Sequence, residues 1–305
     1  MERRTNIFRR MSRPQGSTRL SDATERIEQA GALDRPIRAL TTAVRRTLRP
    51  GPVKDALHGV PVGHPAHPPL TDVPMGCWMS AALLDLVPGT RRASQTLIAA
   101  GLAGAVPTVL TGIADWSALH REQQRVGLVH AAGMAAASTL YSASFAARRQ
   151  GRDAAGRLFG FAGLTALLAG SYLGGHLAFR QAAGASHADQ TAHLVQLGWH
   201  DLCNTEALPD GWPVHRRLGY IGLFGLRDGD EVHVLTDRCS HLAGPLHQGR
   251  IVTDEDAETC AVCPWHGSTF RVRDGSVVHG PATARQPAFE TRVTDNGTVQ
   301  VRPRG

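Results

Sequence analysis

The chain has 305 residues, enough for two domains, and carries a formal net charge of +7 from 33 Lys and Arg against 26 Asp and Glu. The positive excess is dominated by arginine and concentrated near the N-terminus, and no nucleic-acid-binding motif accompanies it. This points away from a nucleic-acid reader.

Residues 1–17 are polar and Arg-rich, a composition that predicts disorder. Arg3 and Arg4 form a twin arginine, but no apolar run follows them, so no secretory or twin-arginine signal is expected. Residues 34–49 read as a helix, with Asp34 as a cap and Pro36 in the first turn. Ile37, Leu40, Val44 and Leu48 fall on one face and Arg38, Arg45, Arg46 and Arg49 cover much of the rest. Such a helix suits an anionic membrane surface or packs on its own protein.

Four apolar segments follow, at about 70–88, 96–116, 127–147 and 158–179. Each is on the order of 20 residues, which as a helix spans roughly 30 Å and matches a bilayer core. The expectation is a four-helix transmembrane bundle in the bacterial cell membrane, in contact with lipid. The third and fourth segments carry no charged residue, unlike the outer faces of soluble helices. Ala and Gly outnumber Leu, which favours close packing, with Gly170 and Gly174 as a small-xxx-small pair. Pro107 is expected to kink the second helix.

Short loops make the helices antiparallel. The starts of the first and third and the ends of the second and fourth then share one side. His64, His67, Asp72, Asp115, His120, His130 and His176 lie on that side, and Asp85 lies near the other end. Facing imidazoles could ligate haem b iron, bind a quinone headgroup or hold a non-haem metal; they could also only cap helices. His64, His67, His120, His130 and His176 are the candidates. The segment resembles an uncharacterised bacterial four-helix membrane family, which also carries an HP-rich entry like His64–Pro69 and a Gly-Gly-His like Gly174–His176. Short-loop arginines (Arg91, Arg92, Arg148, Arg149, Arg152 and Arg157) would make the far side cytoplasmic. The long basic N-terminal tail and the C-terminal domain would then have to cross without a signal, which favours the opposite: the C-terminal domain in the cytoplasm.

Residues 181–193 are small and polar and read as a linker. Beyond it, strands are predicted at 220–224, 231–236, 270–273, 276–279, 288–293 and 298–302. Asp274-Gly275 and Asn296-Gly297 supply the turn pairs of two tight hairpins. The fold class is therefore an all-α bundle followed by an all-β domain. The expected division is 1–60, a basic region with the amphipathic helix; 61–180, the four-helix domain; 181–193, the linker; and 194–305, the β domain.

Within the β domain stand two Cys-plus-His pairs, Cys239-Ser-His241 and Cys263-Pro-Trp-His266. Two thiolates and two imidazoles could hold a tetrahedral zinc ion, or a two-iron, two-sulfide cluster with sulfur on one iron and imidazole on the other. A zinc finger groups its cysteines in one knuckle and its histidines on one helix. Here each knuckle carries one of each, as required where each loop must reach both irons.

At these residues the chain resembles the ferredoxin-type Rieske iron–sulfur family, over about 194–305. The resemblance extends to Gly244-Pro245-Leu246, Gly267-Ser268 and Gly280-Pro281-Ala282, which in the family enclose the cluster. It implies a [2Fe-2S] centre held by Cys239, His241, Cys263 and His266, with Ser268 and Pro281 around it. Of the five cysteines, Cys77, Cys203 and Cys260 are left without obvious pairing, a poor basis for a disulfide framework. Cys260 could alternatively form a CxxC zinc knuckle with Cys263. The 21 residues between His241 and Cys263 imply a small insertion near 253–259. The paired loop cysteines of the high-potential members are absent, and Phe270 stands where those members place a tyrosine. Both imply a potential near about −150 mV rather than about +300 mV.

Reduction of two ferric ions, two sulfides and two thiolates takes a neutral centre to one negative charge. The expected function is a membrane-anchored oxidoreductase component passing single electrons between a soluble redox partner and a membrane-side acceptor or donor, rather than a stand-alone enzyme. The alternatives are a ferredoxin component of an oxygenase in another chain, or a redox sensor. Only about 40 residues follow His266, too few for an oxygenase's own mononuclear-iron domain.

Overall fold

The computed structural model describes residues 19–304; the predicted disorder over 1–17 and the twin arginine lie outside them. Among the described residues, seven α-helices are followed by ten strands. Helices α1 (Arg19–Glu28), α2 (Asp34–Thr47) and α3 (Pro52–His58) form a collar. The bundle is α4 (His67–Leu84), α5 (Arg91–Trp116), α6 (Arg121–Arg149) and α7 (Asp153–Gly175), the last continued by a π-helical turn at His176–Arg180.

The four bundle helices coincide with the four predicted apolar segments, and α5 runs on through Pro107. Two helices, Arg91–Trp116 and Asp153–Arg180, are long and apolar enough to cross a membrane by length and composition. In the other pair, α4 has 18 residues and α6 carries Arg121, Glu122 and Arg125 in its first turns and Arg148 and Arg149 in its last. The helices pack in a ring, α4 on α5 and α7, α6 on α5 and α7. Glycines set the close approaches: a Cβ at Gly133 would lie 3.4 Å from Gly170 Cα, and one at Gly174 3.2 Å from the His130 ring. At the far end Asp85 is buried against Arg148, with Nη1–Oδ1 at 2.8 Å and Nη2–Oδ2 at 2.5 Å. Ser94 adds an O–H donor at 2.7 Å, so neither charge is left uncompensated.

The amphipathic α2 turns Ile37 and Thr41 into the protein and leaves Leu40 45% exposed. Its predicted cap is reassigned. Asp34 makes no side-chain cap bond and instead pairs with Arg125 of α6, with Nε at 2.8 Å and Nη2 at 2.9 Å. An available guanidinium fork outcompetes the end of the helix.

The β domain has two antiparallel sheets. The larger has strand order β1 (His200–Asn204), β10 (Thr298–Pro303), β9 (Ala288–Val293), β4 (Glu231–Thr236), β3 (Ile221–Asp228), β2 (Val214–Leu218). The smaller runs β5 (Arg250–Thr253), β6 (Thr259–Val262), β7 (Thr269–Arg271), β8 (Val277–His279). β10 alternates half-buried and buried residues along its length, the pattern of a strand with one covered face. Gly275 and Gly297 take φ of +72° and +78° in the two predicted hairpin turns. Residues 254–258, within the stretch expected to hold an insertion, form the turn joining β5 to β6. One core, built on Phe224, Leu226, Leu235, Ala261 and Phe270, also contains Cys239 and Cys263.

Candidate metal centre

Three loops meet at one end of the β domain. The first leaves β4 for β5, crossing from the large sheet to the small one. The Cys239 N–H donates to Gly244 O at 2.8 Å, and the Ala243 N–H returns to Cys239 O at 2.8 Å. The second is the tip of the β6–β7 hairpin, where Cys263 N–H bonds Ser268 O at 2.8 Å and Gly267 N–H bonds Cys263 O at 3.1 Å. Gly267 sits at φ +80°, a conformation that costs a residue with a Cβ. The third, 280–282, is tied to the second by the Ala282 N–H, which donates to Ser268 Oγ at 3.0 Å. Ser268, expected to serve as a donor near the cluster, is thus fully buried and spends an oxygen lone pair on holding two loops together. Pro281 is buried beside it, after a cis peptide bond.

These turns bring the four motif residues together as two pairs. The Cys239 and Cys263 thiols are buried and hydrogen-bonded to each other. The His241 and His266 rings stand 5.1 Å apart at 90°. Among the described residues, no three His, Cys, Asp or Glu side chains converge as ligands of a single ion would. A two-iron centre asks for only two protein ligands per iron, so the sulfur pair and imidazole pair fit it and do not fit a tetrahedral zinc site. Gly244 gives the cradle its room: a Cβ there would lie 2.8 Å from Cys263 Sγ and 3.1 Å from the Trp265 ring.

Electrostatics suit ligation. Burial, then the neighbouring His266, hold His241 well below the ordinary histidine value. Burial, then His120, bring His266 down to about 4. Both imidazoles are neutral at pH 7, with lone pairs available. The hydrogen bond from its partner brings the Cys263 thiol down to about 7, whereas that bond and burial push Cys239 up. Burial raises Cys260 to about 11, and its thiol faces Glu258 O at 3.5 Å.

Gln286 escaped the sequence reading. Fully buried, its Oε1 accepts the Ser240 N–H at 2.8 Å, while Nε2 donates to Thr236 O at 2.8 Å and Arg238 O at 2.6 Å. It braces the first loop from behind, and an isolated Gln near the chain's end carries no pattern that announces this.

The imidazole side of the centre faces the helices. His120, at the start of α6, lies 5.7 Å from His266 and 5.2 Å edge-on from Trp265. Asp55 of α3 accepts from His279 Nδ1 at 2.8 Å and from the Gly280 N–H at 2.9 Å. The predicted linker is seated here: His187 N–H donates to Ser240 O at 2.8 Å. The five histidines proposed for the bundle do not form one group. His64 is exposed beside its own Pro65 O, and His176 Nε2 bonds Glu28 at 2.6 Å. His120 belongs to the interface with the β domain, which leaves His67 and His130 inside the bundle.

Residues 198–290 match the model of the Rieske [2Fe-2S] domain, and residues 63–187 match that of a predicted membrane protein (DUF2231). The chain is 30% identical over 103 residues to the anthranilate 1,2-dioxygenase ferredoxin subunit of Burkholderia cepacia, covering 34% of this chain and 90% of that protein. It is 33% identical over 70 residues to a human Rieske domain-containing protein, of which it spans 44%, using 23% of its own length. Among solved structures, the ferredoxin of carbazole 1,9a-dioxygenase from Nocardioides aromaticivorans IC177 aligns at 24% identity and a TM-score of 0.31, over 35% of this chain and 98% of that one. Through this C-terminal domain, joined to a predicted membrane-protein domain, the chain belongs to the Rieske [2Fe-2S] family of ferredoxin-type electron-transfer proteins.

Proposed function

We propose that the protein is a membrane-anchored electron conduit. Cys239 and Cys263 hold one iron and His241 and His266 the other; the bound cluster supplies one-electron chemistry. The chain's own residues set the route. Trp265, 48% exposed, offers an edge to a soluble redox partner, and His120 links the same loop to the bundle. The observation that carries this reading is the position of His120 against both Trp265 and His266. With it goes the division of the chain into a basic region to residue 60, a four-helix membrane domain at 61–180, a linker at 181–193 and a cluster domain from 194.

A second reading, a ferredoxin component serving an oxygenase in another chain, is favoured by the names of the relatives. Both predict an iron–sulfur signal in detergent-purified protein by electron paramagnetic resonance, with acid-labile sulfide. They separate on replacing His120 with Ala. In a conduit this slows cluster reoxidation by membranes and spares reduction by a soluble donor. Zinc without sulfide would overturn both readings, and cluster reoxidation unchanged in the variant would overturn the conduit.

A further inference from the structure

The helical bundle is an internal repeat. Residues of α4 have counterparts 63 positions on in α6: His67 and His130, Trp78 and Tyr141, Asp85 and Arg148. Residues of α5 have counterparts 62 positions on in α7: Arg91 and Asp153, Gly101 and Gly163, Thr108 and Gly170, Gly112 and Gly174. The structure treats each set alike. Trp78 packs on Gly101 and Tyr141 on Gly163; His67 packs on Gly112 and His130 on Gly174. Counterparts also meet across the bundle. Trp78 and Tyr141 stack with ring centroids 4.4 Å apart, Asp85 pairs with Arg148, and Arg91 pairs with Asp153 at 2.7 Å. The two hairpins are therefore related by a pseudo-two-fold axis along the bundle, and these three pairs bridge the two halves.

His67 and His130 form the fourth counterpart pair. Steps of 11 and then 7 residues return a helix to the same face within about 20°. The face that sends Trp78 and Asp85 to meet their counterparts thus also carries His67, and likewise for His130. Each Nδ1 is engaged by a main-chain carbonyl of its own hairpin, His67 by Thr108 O at 2.9 Å and His130 by Gly170 O at 2.8 Å. A carbonyl only accepts, so Nδ1 carries the proton and Nε2 the lone pair in both rings. Two oriented, matching nitrogen donors inside an apolar bundle are what a pair of metal ligands requires.

We infer that His67 and His130 ligate a metal that brings its own equatorial donors, as the iron of a haem does. No third His, Cys, Asp or Glu side chain converges with them among the described residues, and two imidazoles alone hold a bare divalent ion weakly. A tetrapyrrole supplies the four missing nitrogens. This inference does not depend on how the [2Fe-2S] centre is ligated.

The test is absorption spectroscopy and metal analysis of the full chain, purified in detergent from haem-replete cells. Stoichiometric haem with a low-spin, bis-imidazole spectrum is expected. His67→Gly and His130→Gly should each abolish that spectrum, and added imidazole should restore it, which shows that the variants fold. His64→Ala should leave it unchanged, and Cys263→Ser should remove the iron–sulfur signal while sparing the haem bands. A protein without a Soret band, a Soret band unaffected by both glycine variants, or a bare divalent metal at the site would overturn the inference.

Discussion

The two domains position their histidines by different means. In the β domain, main-chain bonds across two turns aim His241 and His266, and each ligand stands two or three residues from a cysteine. In the bundle, side chains do the positioning: ring nitrogens on carbonyls, rings on glycines, and an ion pair and an aromatic stack joining hairpins far apart in sequence. A site built from turns tolerates drift elsewhere but not in its own backbone. A site built from paired side chains loses its support when one partner changes alone, since Arg148 without Asp85 would be a buried, unpaired charge.

Substitutions can break or sharpen this contrast. The largest expected effect is that of Cys263→Ser, which removes a proposed ligand: the iron–sulfur signal should vanish while circular dichroism keeps the helical content. Next is Asp85→Ala, which leaves the Arg148 charge buried and alone at a cost of about 3–5 kcal/mol. It should appear as a large fall in the bundle's melting temperature, and exchanging the two residues should recover most of it. Gly244→Ala should cost about 1–3 kcal/mol by overpacking the first loop and lower cluster content, since its Cβ would meet Cys263 Sγ at 2.8 Å. Gly174→Ala, meeting only the far edge of the His130 ring at 3.2 Å, should be milder on melting. Phe270→Tyr adds a hydroxyl in the core that contains Cys263. One new hydrogen bond to sulfur, about 1 kcal/mol, should raise the potential by roughly 50 mV in voltammetry.

The smallest effect is a pH dependence. The Arg271 guanidinium, bonded to Asp254 at 2.8 Å, holds that carboxyl below its usual value. A depressed carboxylate stabilises fully above the unfolded value of about 3.9, and that stability is lost as pH falls through the lower folded value. The melting-temperature difference between wild type and Arg271→Gln should be present at pH 7 and close below about pH 4.

The candidate cluster motif was legible because its chemistry is local: four proposed ligands in two short stretches, with the turn residues adjacent. The apolar helices and the Gly-containing hairpins were legible from composition and turn pairs. Four strands were not. β1 and β2 form the edges of the large sheet and β5 an edge of the small one, where His200, Asp201, His215, Arg216, Arg217 and Arg250 break the apolar pattern. β6 is only four residues long and ends at Cys263. The bundle repeat was hidden because the identical counterparts, His67 and His130, Gly101 and Gly163, and Gly112 and Gly174, stand far apart among pairs that differ in chemistry, such as Trp78 and Tyr141 or Asp85 and Arg148. The collar shows the same limit, since nothing local to Asp55 announces a bond to a residue more than 200 positions away.

That bond bears on kinetics. Asp55 grips the 279–280 loop, His187 of the linker grips Ser240, and His120 lies against Trp265 and His266, so the β domain is moored to the helices and the linker at three places. Detachment would require all three to give way together. If the proposed conduit operates, the gap between the domains is set by this geometry and not by the wandering of a tethered head, and cluster reoxidation by membranes should be indifferent to solvent viscosity.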